Sequence, residues 1–272
     1  MDDRPGLRDT PAAALSTAGS QGGPMVRLAG AGFRHHTATE ALFSAVDLSL
    51  QRGARLLITG ASGSGKSTLL GVMTGLVPRF WPGELSGTIT LGYVRAGMVL
   101  QNPEAQLVTP TVAEEVAFAL ENRGWAVDRI RQRVTAVLER GGLAHLAERR
   151  TSVLSGGEAQ RLSLACAIAQ DPDILFLDEP TAYLDPGSAH HFFSHLGEET
   201  SAGLWVMVEH RTDEIRHLVN RAWAMDRGAS GCEIGLDEAC APYAPARLED
   251  NPGQADDLAA LRAKMIIDHP TF

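Results

Sequence analysis

The chain has 272 residues, 44% of them apolar and 21% charged, which is ordinary globular usage and enough for one large domain or a domain with a small appendage. Its formal net charge of −9 gives no support to a nucleic-acid partner. No run approaches the roughly 18 consecutive apolar residues of a membrane-spanning helix, so membrane association is expected only through a partner. The cysteines, Cys166, Cys232 and Cys240, form no CxxC pair and no metal-ligand spacing. A reducing cytoplasm is the simple reading.

Residues 1–24 are rich in Ala, Gly, Ser, Pro and Asp and predict a disordered leader. Strand-like runs follow at Val26–Leu28, Val46–Leu50 and Leu56–Thr59, and Lys66–Leu76 reads as a helix. Thr88–Leu91 and Met98–Leu100 read as further strands. The pattern turns helical from Val112 to about Leu146, with Val112, Val116, Ala119 and Leu120 on one face. A helix is expected to start near Ser155, with Leu162, Ala165, Ile168 and Ala169 inward and Cys166 in the core. Ile174–Leu177 and Leu204–Val208 are short and wholly apolar, as buried parallel strands are. Helices alternating with such strands predict an α/β sheet core with a helical insertion at about 102–168. The pattern weakens after Gly228. Residues 229–272 have no assigned role, although Ala255–Ile267 has a helical pattern.

Gly60-Ala61-Ser62-Gly63-Ser64-Gly65-Lys66-Ser67-Thr68 fits the spacing G-x-x-x-x-G-K-[ST]. The glycines let backbone N–H groups turn inward around phosphate oxygens, and the helix that follows aims its positive end at the same anions. Lys66 supplies a mobile cation, and Ser67 offers a hydroxyl to Mg²⁺. A strand before the loop and a helix after it are the context this motif requires. A nucleotide phosphate is therefore the expected ligand.

Ile174–Leu177 runs into Asp178-Glu179-Pro180, which puts two carboxylates at the C-terminal end of a buried strand, where ligands of α/β sheets bind. Asp178 is placed to hold Mg²⁺, directly or through water. Glu179 is placed to polarise an attacking water. Adjacent acids beside phosphates make sense with a metal to offset their charge.

Leu154-Ser155-Gly156-Gly157-Glu158-Ala159-Gln160-Arg161 opens a helix, with Ser155 as N-cap and Glu158 completing a capping box. Taken in order, these motifs resemble the ATPase subunits of ABC transporters over residues 25–228, and Leu154–Arg161 is similar to their signature motif. The resemblance implies a P-loop NTPase fold: an ABC ATPase domain with a RecA-like sheet core, an antiparallel β subdomain and a helical subdomain carrying the signature. It implies ATP and Mg²⁺ as cofactors. It also implies a second ABC ATPase subunit, whose Ser155, Gly156 and Gly157 complete each site across a dimer; homodimer and heterodimer both stay open.

Further positions match by resemblance. Gln101 is similar to the Q-loop glutamine, which reaches the metal and the attacking water. Ala182-Tyr183-Leu184-Asp185 resembles the D-loop, which meets the partner, and His210 resembles the switch histidine that contacts the γ-phosphate. Phe33-Arg34-His35 occupies the place where the family often stacks an aromatic ring on adenine. Phe33 is expected in the core, and adenine contact by His35 is left open.

Gln101–Asn122, Pro82–Gly87 and Val208-Glu209-His210-Arg211 are similar to the energy-coupling-factor branch, whose members power uptake of vitamins and of cobalt or nickel. This implies an importer subunit at the cytoplasmic face of the membrane, gripping a helix of an integral membrane component. A soluble, non-transport ABC ATPase is the alternative.

Overall fold

The protein is described by a computed structural model over residues 15–16 and 23–240, apart from 80, 93, 200, 201, 227 and 229, and without the side chains of 15, 16, 198 and 199. The first half contains β1 (Leu15–Ser16), β2 (Val26–His35), β3 (Phe43–Leu50), β4 (Arg55–Gly60), α1 (Lys66–Thr74), β5 (Gly83–Leu91), β6 (Ala96–Val99), α2 (Val112–Glu121) and α3 (Val127–Arg140). Two 3-10 turns, Ala144–Leu146 and Thr151–Val153, lead to α4 (Gly156–Ala169). Then come β7 (Ile174–Asp178), α5 (Pro186–Glu199), β8 (Leu204–Val208), α6 (Thr212–Ile215), β9 (Arg221–Met225), β10 (Cys232–Ile234) and α7 (Leu236–Ala239).

The wholly apolar runs become the centre of a six-stranded sheet of order β10-β9-β4-β8-β7-β6, parallel except for β10 at its edge. Alternation explains why they carry no polar face. Leu56, Ile58, Ile174, Phe176, Val206 and Val208 pack to one side, with β2, β3 and α1. Leu57, Leu175, Leu177, Trp205 and Met207 pack to the other, with α5. Each such side chain contributes about 1.5–3 kcal/mol by leaving water. The helix before this sheet's second strand is shorter than its sequence pattern: α1 stops at Thr74 because Gly75 takes the left-handed conformation at φ 76° and closes the helix.

A second, four-stranded sheet has the order β1-β5-β2-β3, antiparallel except for β1 against β5. It extends both Val26–Leu28 and Thr88–Leu91 well beyond the expected runs, because β2 and β5 pair along most of their length. Phe33 is buried as expected. The third layer is helical. Val112, Val116 and Leu120 of α2 meet Ile130, Val137 and Leu138 of α3 and Leu162, Ala165 and Ala169 of α4 in their own core. Ala119, Ile168 and Cys166 are only half-buried. The single helical pattern expected from 112 to 146 is broken after Glu121, where Gly124 takes φ 69°.

Two boundaries shift. Within the stretch expected to be a disordered leader, Leu15 and Ser16 pair with Ile89 and Thr90. Past Gly228, β10 pairs antiparallel with β9, and α7 packs beside it through Ala239. Ala255–Ile267 lies outside the described residues.

Candidate nucleotide and active site

Four strand ends of the parallel sheet carry the candidate residues. The phosphate loop follows β4, His210 follows β8, Asp178 closes β7, and Gln101 lies just past β6. The β4-β8-β7-β6 order sets them side by side at the carboxyl edge of the sheet.

The loop itself depends on glycine at two points. Gly60 has φ 142° and lies where a Cβ would run into the carbonyl oxygen of Met225. Gly65 has φ 98° at the N-cap of α1, where no side chain caps the helix, so the first-turn N–H groups face the loop. Ser64 Oγ is buried and has no hydrogen-bond partner among the described residues. Lys66 is 5% exposed, and its Nζ donates to Gly60 O at 2.9 Å and Ala61 O at 3.0 Å. An ammonium has three donors, so one is left over by these two carbonyls. Burial pushes the Lys66 pKa down, against the pull of Glu179 and Asp178.

Ser67 Oγ donates to Asp178 Oδ1 at 2.9 Å, joining the helix start to the end of β7. Asp178 is 7% exposed, and burial raises its pKa, with the Ser67 hydroxyl opposing. Among the described residues no group of three or more His, Cys, Asp or Glu stands ready to hold a metal. A hydroxyl, a carboxylate and a nearby amide suit Mg²⁺, which keeps several waters and shares its other positions with substrate phosphates.

Glu179 is the meeting point of the other two strand ends. Gln101 Nε2 donates to its Oε2 at 2.8 Å, and His210 Nε2 lies 3.1 Å from its Oε1. The His210 contact, first among several causes, holds the Glu179 carboxyl below its ordinary range. Glu179 has φ 44°, a left-handed value costing a non-glycine residue on the order of 1–3 kcal/mol, and its N–H donates to Val208 O at 2.8 Å. Strain of this kind collects where function over-determines the backbone.

The second glycine motif lies elsewhere. Ser155 caps α4: its Oγ accepts the Glu158 N–H at 3.3 Å, and its own N–H and Oγ donate to Glu158 Oε2 at 2.7 and 2.9 Å. A Cβ on Gly156 or Gly157 would lie nearest Tyr183 and Leu184, in the turn after β7, and Ser188 at the start of α5, and not the phosphate loop. In that turn Tyr183 is 69% exposed, while Asp185 accepts the Ser188 N–H and hydroxyl at 3.0 and 2.6 Å. Thus the structure gathers Lys66, Ser67, Asp178, Glu179, Gln101 and His210 and leaves Ser155–Gly157 apart, on a helix start that opens outward.

His35 reaches the loop through a chain of contacts. A Cβ on Gly65 would touch Leu42 and Phe43, Phe43 faces Phe33 at 6.4 Å, and the His35 ring meets Phe33 edge-on at 4.8 Å.

Sequence reasoning missed several polar ties. Gln160, 2% exposed, donates to Leu100 O at 3.4 Å and so links α4 to the residue before Gln101. Gln106 donates to Met98 O at 2.7 Å and accepts from Leu100 N at 3.2 Å. Glu209, directly after an apolar strand, is buried with Thr181; its acidity at the end of β8 was the available signal.

A family model described as ABC transporter matches residues 43–182. A Methanosarcina acetivorans protein named as an ABC transporter ATP-binding protein is 39% identical over 220 residues, covering 75% of this chain and 36% of its own length. A Bacillus subtilis protein named as an HMP/thiamine import ATP-binding protein is 34% identical over 220 residues, covering 75% of this chain and 40% of its own. The chain thus spans about two fifths of the length of these relatives. A Pyrococcus horikoshii protein named as an ABC transporter ATP-binding protein is 35% identical, with 72% of this chain and 74% of its own length covered. Among solved structures, cbiO1 of Clostridium perfringens, part of the ABC transporter complex cbiONQ, aligns with a TM-score of 0.68 and 27% identity over 80% of this chain and 90% of its own. An ATP-binding cassette of an ABC transporter, MJ1267, shares the fold at a TM-score of 0.61, with 24% identity over 78% of this chain and 90% of its own. The chain belongs to the ABC transporter ATP-binding family.

Proposed function

We propose that this subunit works as a dimer on the cytoplasmic face of the cell membrane, closing around two ATP and two Mg²⁺ to drive an importer of the energy-coupling-factor type. The observation that carries the reading is the convergence of Gln101 and His210 on Glu179, beside Lys66, Ser67 and Asp178. Half of each site is in place, while the helix start at Ser155–Gly157 faces away from it.

In this reading Gly60–Thr68 cradles the phosphates, with Lys66 bridging the terminal ones and the buried Ser64 hydroxyl available to the same oxygens. Ser67, Asp178 and Gln101 would hold Mg²⁺, which would supply charge neutralisation for the transferred phosphoryl group. Glu179, kept ionised by His210, orients the attacking water and accepts its proton. His210 turns from Glu179 to the γ-phosphate when ATP enters. The partner's Ser155 hydroxyl and the N–H groups of Gly156 and Gly157 close the site from the other side. His35 is the surface offered to adenine.

Coupling to a membrane partner is supported by a groove of about 380 Å³ between β6, α2 and α4, with Val108 67% and Phe118 42% exposed nearby. It lies against Met98 and Gln106, so a helix seated there touches the residues that hold Leu100 and hence Gln101. Among the described residues no helix is long and apolar enough to cross a membrane. Importer type and the vitamin or transition-metal class of cargo rest on the likeness to the energy-coupling-factor branch, which the cbiO1 likeness supports. Co-purification from detergent-solubilised membranes tests it: an integral membrane protein retained at stoichiometric yield is expected. Recovery of active ATPase without one would turn the assignment to a soluble ABC ATPase.

A further inference from the structure

Glu209 is 3% exposed, and its carboxylate is spent entirely on neighbours. Oε1 accepts the backbone N–H of His210 at 2.7 Å and that of Arg211 at 3.1 Å. Oε2 accepts the hydroxyl of Thr181, itself fully buried, at 2.7 Å. A carboxylate receiving three donors in a dry setting is held far more firmly than a surface group, because charge-assisted bonds are about twice as strong as neutral ones. The segment it grips is the one that carries His210 to within 3.1 Å of Glu179. Thr181, the other anchor, begins the turn that carries Tyr183 and lies beside Gly156. The next residue repeats the link, since Arg211 Nη2 donates to Leu184 O at 2.8 Å. Two ties therefore run from the strand end at β8 to the turn after β7.

We infer that Glu209 is a positioning residue: its three hydrogen bonds set the His210 imidazole against Glu179 and join that loop to the turn Thr181–Asp185, which presents Tyr183 to solvent. Movement of the turn is then transmitted to His210 within one subunit. Glu209, buried and bonded to Thr181 and to the His210 and Arg211 N–H groups, acts on the site through His210. The inference rests on the roles proposed for Glu179 and His210.

The test is steady-state ATP hydrolysis by the full chain for Glu209→Ala, His210→Ala and the double variant, with thermal melts alongside. His210→Ala alone tests the underlying reading, because unchanged turnover there removes His210 from the site whatever Glu209 does. Against a His210→Ala variant whose turnover is lowered but still measurable, Glu209→Ala is expected to lower kcat by about 10- to 100-fold in the parent, with KM for ATP within about twofold, and to cause no further loss in the double variant. Equal losses in both backgrounds, or a kcat within about twofold of the parent, overturn the inference. Glu209→Gln keeps an acceptor for the two N–H groups and an amide for Thr181, and is expected to retain at least about a third of parental kcat; a fall as deep as that of Glu209→Ala overturns the positioning role. Should Glu209→Ala not fold, Thr181→Val decides: a fall of about threefold that vanishes in the His210→Ala background supports the tie, and a fall equal in both backgrounds, or none, refutes it.

Discussion

The two glycine-rich helix starts of this chain use the same physics and are finished to different degrees. At α1 the polar groups are already bound within the chain: Lys66 to Gly60 and Ala61, Ser67 to Asp178, and Glu179 to Gln101 and His210. At α4 the helix start is closed by its own capping box, with Arg149 3.8 Å from Glu158; Ser155 stays exposed and Glu158 is half-buried. A helix N-terminus preorganised by distant strands is a site, whereas one capped locally is a surface awaiting its counterpart. In the proposed dimer, catalysis by the first would depend on delivery of the second.

The sharpest way to break the comparison is at the finished end. Glu179→Gln keeps the shape and removes the charge, so phosphate release should drop by about 10²–10⁴-fold while ATP binding persists and gel filtration with ATP shows a stable dimer. Turnover near the parent's would remove Glu179 from its role. At the unfinished end, Ser155→Arg puts bulk and charge on the outward helix start. Hydrolysis should fall by about 10²-fold, with monomer affinity for ATP, read by equilibrium binding, within about twofold. A matching loss of monomer affinity would mean that α4 serves its own nucleotide. Gln101→Ala, between the two, should lower kcat by roughly tenfold through lost orientation, and stopped-time phosphate assays would expose an unchanged rate.

The smallest effect concerns stability. Ser155→Ala removes the cap of α4 and should lower unfolding free energy at neutral pH by about 1 kcal/mol in denaturant titration. The Ser155 N–H, then its hydroxyl, hold the Glu158 carboxyl below its ordinary range. Since the folded pKa lies below the unfolded one, this contribution is fully present above about pH 4.3 and is lost as pH falls through the folded value. Only the hydroxyl's share of the Glu158 contact is lost in the variant, so the gap between parent and variant should narrow on acidification; a gap that widens would contradict the capping box.

Much of the core was readable because it obeys local rules. β4, β7 and β8 announce themselves as apolar runs since both faces are covered, and Gly60–Thr68 is legible because phosphate binding demands glycine where φ is positive. What resisted reading depends on partners far along the chain. β2 runs on to His35 only because β5 lies beside it, and β10 becomes a strand only against β9. The break after Glu121 turned on one left-handed glycine within an otherwise helical pattern. Glu209 looked like part of a motif; its contact with Thr181, 28 residues earlier, is tertiary. The capping box at Ser155 was legible because all its atoms lie within one turn.

Gln106 has a consequence for how copies of this protein meet. β6 is the outer strand of the six-stranded sheet, and strands in that position offer free backbone groups on which another chain can add. The Gln106 amide takes up Met98 O and Leu100 N, imitating one rung of a missing neighbour. Recruitment of a foreign strand is discouraged at this edge, so promiscuous sheet-to-sheet aggregation is held off beside the groove lined by Met98, Gln106 and Phe118.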